Sequence, residues 1–137
     1  MGNKITINKI NYEDMKYAIK NNYIIINTLA TTEQEILIVN TINAENETQI
    51  INNLLKNKKF NEYIIIYGKN CNDYNVIKKY EQLITLGFTN VYLYIGGLFE
   101  WLLLQDIYGD DNFSTTKNIL DILKYKSNKV FELKYLE

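Results

Sequence analysis

Residues 63–101 read YIIIYGKNCNDYNVIKKYEQLITLGFTNVYLYIGGLFEW, and the order of patterns in that stretch decides the fold. Tyr63–Tyr67 is a short β-branched run without polar alternation, which predicts a strand buried on both faces. Gly68 to Asp73 is a polar loop. Val76, Ile77, Tyr80, Leu83 and Ile84 then recur at helical spacing, and Gly87 supplies a left-handed cap. Val91–Ile95 is a second buried strand, followed by a Gly-Gly turn into an aromatic helix around Trp101. Strand, loop, helix and strand make a βαβ unit, and its first loop lies where parallel α/β folds place their ligands.

Working outward, the same alternation continues on the N-terminal side. Ile5-Thr6-Ile7 predicts a short strand, and Asn11 with Asp14 three residues on predicts a capping box. The helix so opened places Met15, Ala18 and Ile19 on one face and ends at Asn21-Asn22. Tyr23–Ile26 and Ile36–Val39 are two more β-branched runs, the second continuing toward Ala44. Ile50, Ile51, Leu54 and Leu55 form a helical stripe before Lys56. Strands separated by helices through short connections predict one mostly parallel sheet covered on both faces, a three-layer α/β/α domain. On the C-terminal side, Thr115 or Thr116 can cap a helix carrying Ile119, Leu120, Ile122 and Leu123. Phe131, Leu133 and Tyr135 then alternate like a strand.

Composition narrows the chemistry. The chain has 137 residues, 47% of them hydrophobic, enough for a single domain with a real core. Its formal net charge of −1 gives no field to recruit nucleic acid or an anionic membrane. All 15 cations are lysines, and there is no His, Arg or Pro. Without His there is no Cys-His or Ser-His pair and no ordinary zinc site; without Arg there is no bidentate fork for phosphate. No nucleotide fingerprint or metal-ligand spacing is present, so no cofactor and no metal are expected. The wealth of Asn, Ile, Lys and Tyr matches an AT-rich genome.

No apolar run is long enough to span a bilayer, and the opening residues lack a secretory stretch. Met1-Gly2-Asn3-Lys4-Ile5-Thr6 fits the loose myristoylation pattern at Gly2, which chance or a cloning scar explains more often. One cysteine, Cys71, excludes an internal disulfide and suits a reducing intracellular compartment such as the cytoplasm, or a virion component.

Gly87-Phe88-Thr89-Asn90-Val91-Tyr92, followed by Gly96-Gly97-Leu98-Phe99-Glu100-Trp101, resembles the rhodanese-like family in order and spacing. Ile24-Ile25-Ile26-Asn27 stands where that family has a strand ending in Asp, and Thr41-Ile42-Asn43-Ala44 is similar to its alanine-isoleucine-asparagine stretch. The resemblance covers residues 5–106, leaving 107–137 as a C-terminal extension of a single domain, residues 1–137. It implies a mostly parallel five-stranded rhodanese-like sheet. It also implies an active-site loop equivalent at Gly68, Lys69, Asn70, Cys71, Asn72 and Asp73.

Departures from the family pattern bear on activity. In the family the catalytic cysteine follows the strand directly, and loop amides at a helix N-terminus cradle its persulfide. Here Gly68 holds that position and Cys71 comes three residues later. The family's basic residue near the loop's end is replaced by Asp73 or Tyr74. Asn27 and Leu29 replace an acidic and basic pair. Asp73 can cap the following helix and consume the amides an anion needs. These changes predict a catalytically degenerate domain used as a binding or structural module, with a protein partner or a second copy. The alternative is a sulfurtransferase using Cys71 as persulfide-forming nucleophile in a rearranged loop. A phosphatase of the related fold needs Cys followed by Arg six residues on, which this chain lacks.

Overall fold

The computed structural model describes residues 6–131. Its elements follow the order β1 (Lys9–Ile10), α1 (Tyr12–Lys20), β2 (Ile24–Asn27), α2 (Ala44–Lys56), β3 (Tyr63–Tyr67), α3 (Asn75–Leu86), β4 (Asn90–Tyr94) and α4 (Gly97–Tyr108). Short 3-10 turns lie at Thr31–Glu33 and Ile122–Tyr125. The sheet order is β1-β4-β3-β2, and every pairing is parallel.

Because successive strand residues face opposite ways, the apolar runs feed two cores. Ile25, Ile65, Tyr67 and Tyr94 face α1 and α4, meeting Met15, Ala18, Leu98, Trp101 and Leu102. Ile26, Ile64, Ile66, Val91 and Leu93 face α2 and α3, meeting Ile51, Val76, Tyr80 and Leu83. The lack of polar alternation in the strands is thus the imprint of a three-layer sandwich.

Local chemistry sets the helix ends as expected. Asn11 Oδ1 accepts the Asp14 N–H at 3.0 Å, while Asp14 Oδ2 accepts the Asn11 N–H at 3.3 Å, closing the capping box. Gly87 ends α3 at φ 112°, a conformation that costs glycine little. In α2, Ile51 is buried and Leu54 and Leu55 are partly buried, while the neighbouring Asn52 and Asn53 face water.

Three elements differ from expectation. The sheet has four strands rather than five. The buried Ile36-Leu37-Ile38 run forms no strand, because Asn40 adopts φ 68° and turns the chain before pairing can extend. What remains of the fifth strand is one parallel bridge, Thr41 to Ile25, with the Ile42 N–H donating to the Ile25 carbonyl at 2.8 Å. The first strand lies at Lys9–Ile10, C-terminal to the Ile5-Thr6-Ile7 pattern; Thr6 and Ile7 are not strand, and Ile5 lies outside the described residues. Gly2 lies outside them too.

The third difference is the C-terminal helix, which is absent. Thr115 forms an antiparallel bridge with Ile38, and Thr116 exchanges hydrogen bonds with Leu37, so neither threonine caps a helix. Ile119 and Ile122 still pack on the α1–α4 core, whereas Leu120 is fully exposed and Leu123 mostly so. Phe131 is an exposed turn residue; Leu133 and Tyr135 lie outside the described residues.

Candidate functional site

The loop between β3 and α3 emerges at the C-terminal end of the sheet. Tyr67, the last residue of β3, is buried. Its hydroxyl accepts the Ile38 N–H at 3.0 Å and pairs with Thr41 Oγ1 at 2.8 Å. Burial pushes this phenol well above its ordinary value, and the two hydrogen bonds pull partly the other way. The strand end is therefore anchored before the loop begins.

The loop is clamped from the other side by the Gly-Gly turn. The Leu98 and Phe99 N–H groups donate to the Gly68 and Lys69 carbonyls, each at 2.9 Å. Gly97 has φ 69°, and a Cβ there would lie 2.8 Å from the Gly68 carbonyl oxygen. Glycine is required by both conformation and space. Beside it, the Tyr94 hydroxyl donates to Glu100 Oε1 at 2.6 Å. Burial and the neighbouring carboxylate both raise the Tyr94 phenol.

Asp73 organises the interior of the loop. Its Oδ2 accepts the Lys69 N–H and the Thr28 hydroxyl, each at 3.0 Å. Its Oδ1 accepts the N–H of Asn75, the first residue of α3, at 3.0 Å. A carboxylate thus occupies the space enclosed by the loop amide, the helix N-terminus and the β2 end, where the dipole favours negative charge. A Cβ placed on Gly68 would collide with Asp73 Oδ2. The position directly after the strand has no room for a side chain while Asp73 is seated.

The other loop residues take separate roles. Lys69 Nζ pairs with Glu33 at 3.1 Å. Asn70 Oδ1 accepts the Asn72 N–H at 2.9 Å, while its Nδ2 donates to the Tyr125 carbonyl at 3.0 Å. Cys71 is exposed, and its Sγ has one weak contact, 3.9 Å to Asn72 Oδ1, with no loop amide directed at it. Asn27 is buried as a hub: its Oδ1 accepts from the Leu29 N–H and Gln34 Nε2, and its Nδ2 donates to Gln34 Oε1 and the Ile42 carbonyl.

Above the loop lies an open polar hollow of about 400 Å³, bordered by Thr28, Glu33, Asn70 and Asp73, and by Lys126 and Asn128 from the C-terminal segment. The loop residues were anticipated from their place after the strand; Thr28, Glu33 and the Lys126–Asn128 wall were not. Thr28 carried a usable signal, since it follows the neighbouring strand and must open at the same sheet edge. The Tyr125 carbonyl carried none, because a backbone acceptor leaves no mark in the sequence. Among the described residues no cluster of His, Cys, Asp and Glu is suited to hold a metal ion, and no helix is long and apolar enough to cross a membrane.

No family profile and no curated protein sequence matches the chain. Solved structures do. Ygr203w, a yeast protein tyrosine phosphatase of the rhodanese family, superimposes with a TM-score of 0.59 at 14% identity, over 87% of this chain and 99% of its own. The Alr3790 protein from Anabaena sp. gives a TM-score of 0.56 at 17% identity, over 84% and 97% of the two chains. The BH2092 protein from Bacillus halodurans gives 0.55 at 22% identity, over 74% of each. With its parallel β1-β4-β3-β2 sheet between two helical layers, the chain has the rhodanese-like fold.

Proposed function

We propose that this chain is a catalytically degenerate rhodanese-like domain that serves as a binding or structural module. The observation that carries this reading is the Asp73 carboxylate, which takes up the Lys69 and Asn75 amides and the Thr28 hydroxyl. Those donors are what a persulfide or oxyanion needs, and a fixed negative charge repels either. Cys71 stands outside the cradle and has no amide partner, so its thiolate lacks the stabilisation that sulfur transfer uses. Ygr203w is a phosphatase, but a chain with no Arg cannot supply a guanidinium fork to a phosphoryl group. The polar hollow flanked by Lys126 and Asn128 is the surface through which such a module meets a protein partner or a second copy.

The test is sulfur transfer from thiosulfate to cyanide by wild type, Cys71→Ser and the double variant Gly68→Cys with Asp73→Gly, read alongside a persulfide mass shift. Wild type and Cys71→Ser are expected to be inactive. The double variant, with a thiol after β3 and the carboxylate removed, is expected to form the persulfide. Wild-type turnover that disappears in Cys71→Ser would overturn the module reading and establish the sulfurtransferase alternative, which the exposure of Cys71 leaves sterically open.

A further inference from the structure

At the opposite end of the strands from the Gly68–Asp73 loop, four tyrosines meet. Tyr23 and Tyr63 stack across neighbouring strands, with centroids 4.6 Å apart and planes within 11°. Tyr92 continues the stack at 6.2 Å and 17° from Tyr63, and Tyr17 of α1 crosses Tyr23 nearly edge-on at 6.0 Å and 69°. Together with Ile10, Asp14, Ala18 and Ile65 they line an open cleft of about 220 Å³ between α1 and the sheet. Tyr17 and Tyr63 keep much of their surface in water, so the cleft is accessible.

Packing does not explain this arrangement. A surface notch whose role is only to fill space is expected to be aliphatic; here half the lining residues are tyrosines, and the one charged residue is an acid. No lysine lines the cleft, in a chain with 15 of them. Aromatic π-clouds and phenolic oxygens present negative potential, and Asp14 adds a formal negative charge at the rim. Its carboxylate also accepts the Asn11 N–H, which holds it in place at the start of α1. The lining thus selects for positive charge, and its apolar character selects for a cation that is weakly hydrated and greasy.

We infer that this cleft binds a methylated ammonium group. A trimethylammonium head combines a diffuse positive charge with an apolar surface, and the cleft is large enough to take it. The head can come from a small choline-like molecule or from a trimethylated lysine side chain of a partner.

The experiment titrates the full chain with choline and with its neutral isostere 3,3-dimethyl-1-butanol, following tyrosine resonances by NMR. Choline is expected to bind and the isostere to bind about tenfold more weakly or worse, since only charge distinguishes them. Tyr63→Leu removes the central ring and is expected to lose choline binding, and Asp14→Asn to weaken it severalfold. Tyr108→Leu, an exposed tyrosine outside the cleft, serves as the control and is expected to leave it unchanged. A trimethyl-lysine peptide is compared with its unmethylated form. Tighter binding than choline, dependent on methylation, assigns the source to a protein side chain; equal or weaker binding assigns it to a small molecule. Equal affinity for choline and the isostere, absence of binding at millimolar choline, or retention of binding in a folded Tyr63→Leu would overturn the inference.

Discussion

At the scale of the residue, Asp73 does two jobs that the sequence displays only one of. Its place just before α3 announces a helix-start residue, and the bond to the Asn75 N–H follows from that. The bonds to Thr28 and the Lys69 amide depend on how β2 and β3 lie side by side, which no local pattern encodes. Asp73→Ala is expected to cost about 1–2 kcal/mol in urea unfolding, from the lost cap and orphaned donors. Cys71→Ser, on an exposed side chain with one weak contact, is expected to fall within about 0.5 kcal/mol of wild type. Tyr67 and Tyr94 supply a pH signature. Both phenols are raised in the folded protein, chiefly by burial, above the ordinary value of 10.0. Below that value both states keep them neutral and their contribution is whole; as pH climbs beyond it, only the unfolded chain ionises, and stability is lost toward the folded value. Urea midpoints are therefore expected to fall steeply above about pH 10. A phenolate absorbance titration of the folded protein should leave these two tyrosines unionised until the fold itself gives way.

At the scale of the element, legibility tracked how local the determining contacts are. α1, β3 and α3 were readable in type and position because cap, apolar run and Gly87 all lie within each segment. The Ile36–Val39 run was misread because its burial is real while its pairing is not. Asn40 at positive φ redirects the backbone, and the antiparallel partner of Ile38 is Thr115, far along the chain. Asn40→Val, which forces a β-branched residue into the left-handed region, is expected to destabilise by about 1–2 kcal/mol. Asn40→Gly should be near neutral or slightly stabilising, and thermal unfolding of the pair checks the conformational origin. Gly97→Ala tests the clamp. Its Cβ would strike the Gly68 carbonyl, so a loss of about 1–3 kcal/mol is expected, with shifted amide resonances for Gly68 and Lys69. The same change at Gly109, which also has positive φ but open space around it, isolates the conformational share.

At the scale of the whole molecule, the segment after α4 was expected as a helix and is instead a strap. The Trp101 indole donates to the Ser114 carbonyl at 3.0 Å, and buried Gln105 donates to the Phe113 carbonyl at 2.8 Å. Phe113 and Tyr125 are themselves buried. Helical spacing suggested itself because Ile119 and Ile122 are both core-directed, yet a strap that must reach Leu37 and then Asn70 cannot spend its backbone bonds on itself. Deleting residues 114–137 is expected to strip Trp101 and Gln105 of their acceptors and uncover the core beneath Tyr125. A thermal midpoint lower by 10 °C or more is the expected reading, about 2 kcal/mol or more for a domain of this size. An unchanged midpoint and association state would show that the strap is dispensable.

The placement of β1 has a consequence for how the chain folds as it is made. β1 borders β4 alone, and the Tyr80 hydroxyl reaches the Thr6 carbonyl across 74 residues of sequence. The first segment to leave the ribosome therefore has no seat until nearly the whole domain has followed it. The unit that can organise unaided is β3–α3–β4, whose partners are adjacent in sequence, and closing the long loop to β1 comes after it. Amide exchange should preserve that history: protection is expected to be deepest at Ile64–Ile66 and Val91–Leu93 and markedly shallower at Lys9 and Ile10. A newborn chain halted before Tyr94 would hold a sheet with one open flank, the state in which this protein is most exposed to strand-to-strand aggregation.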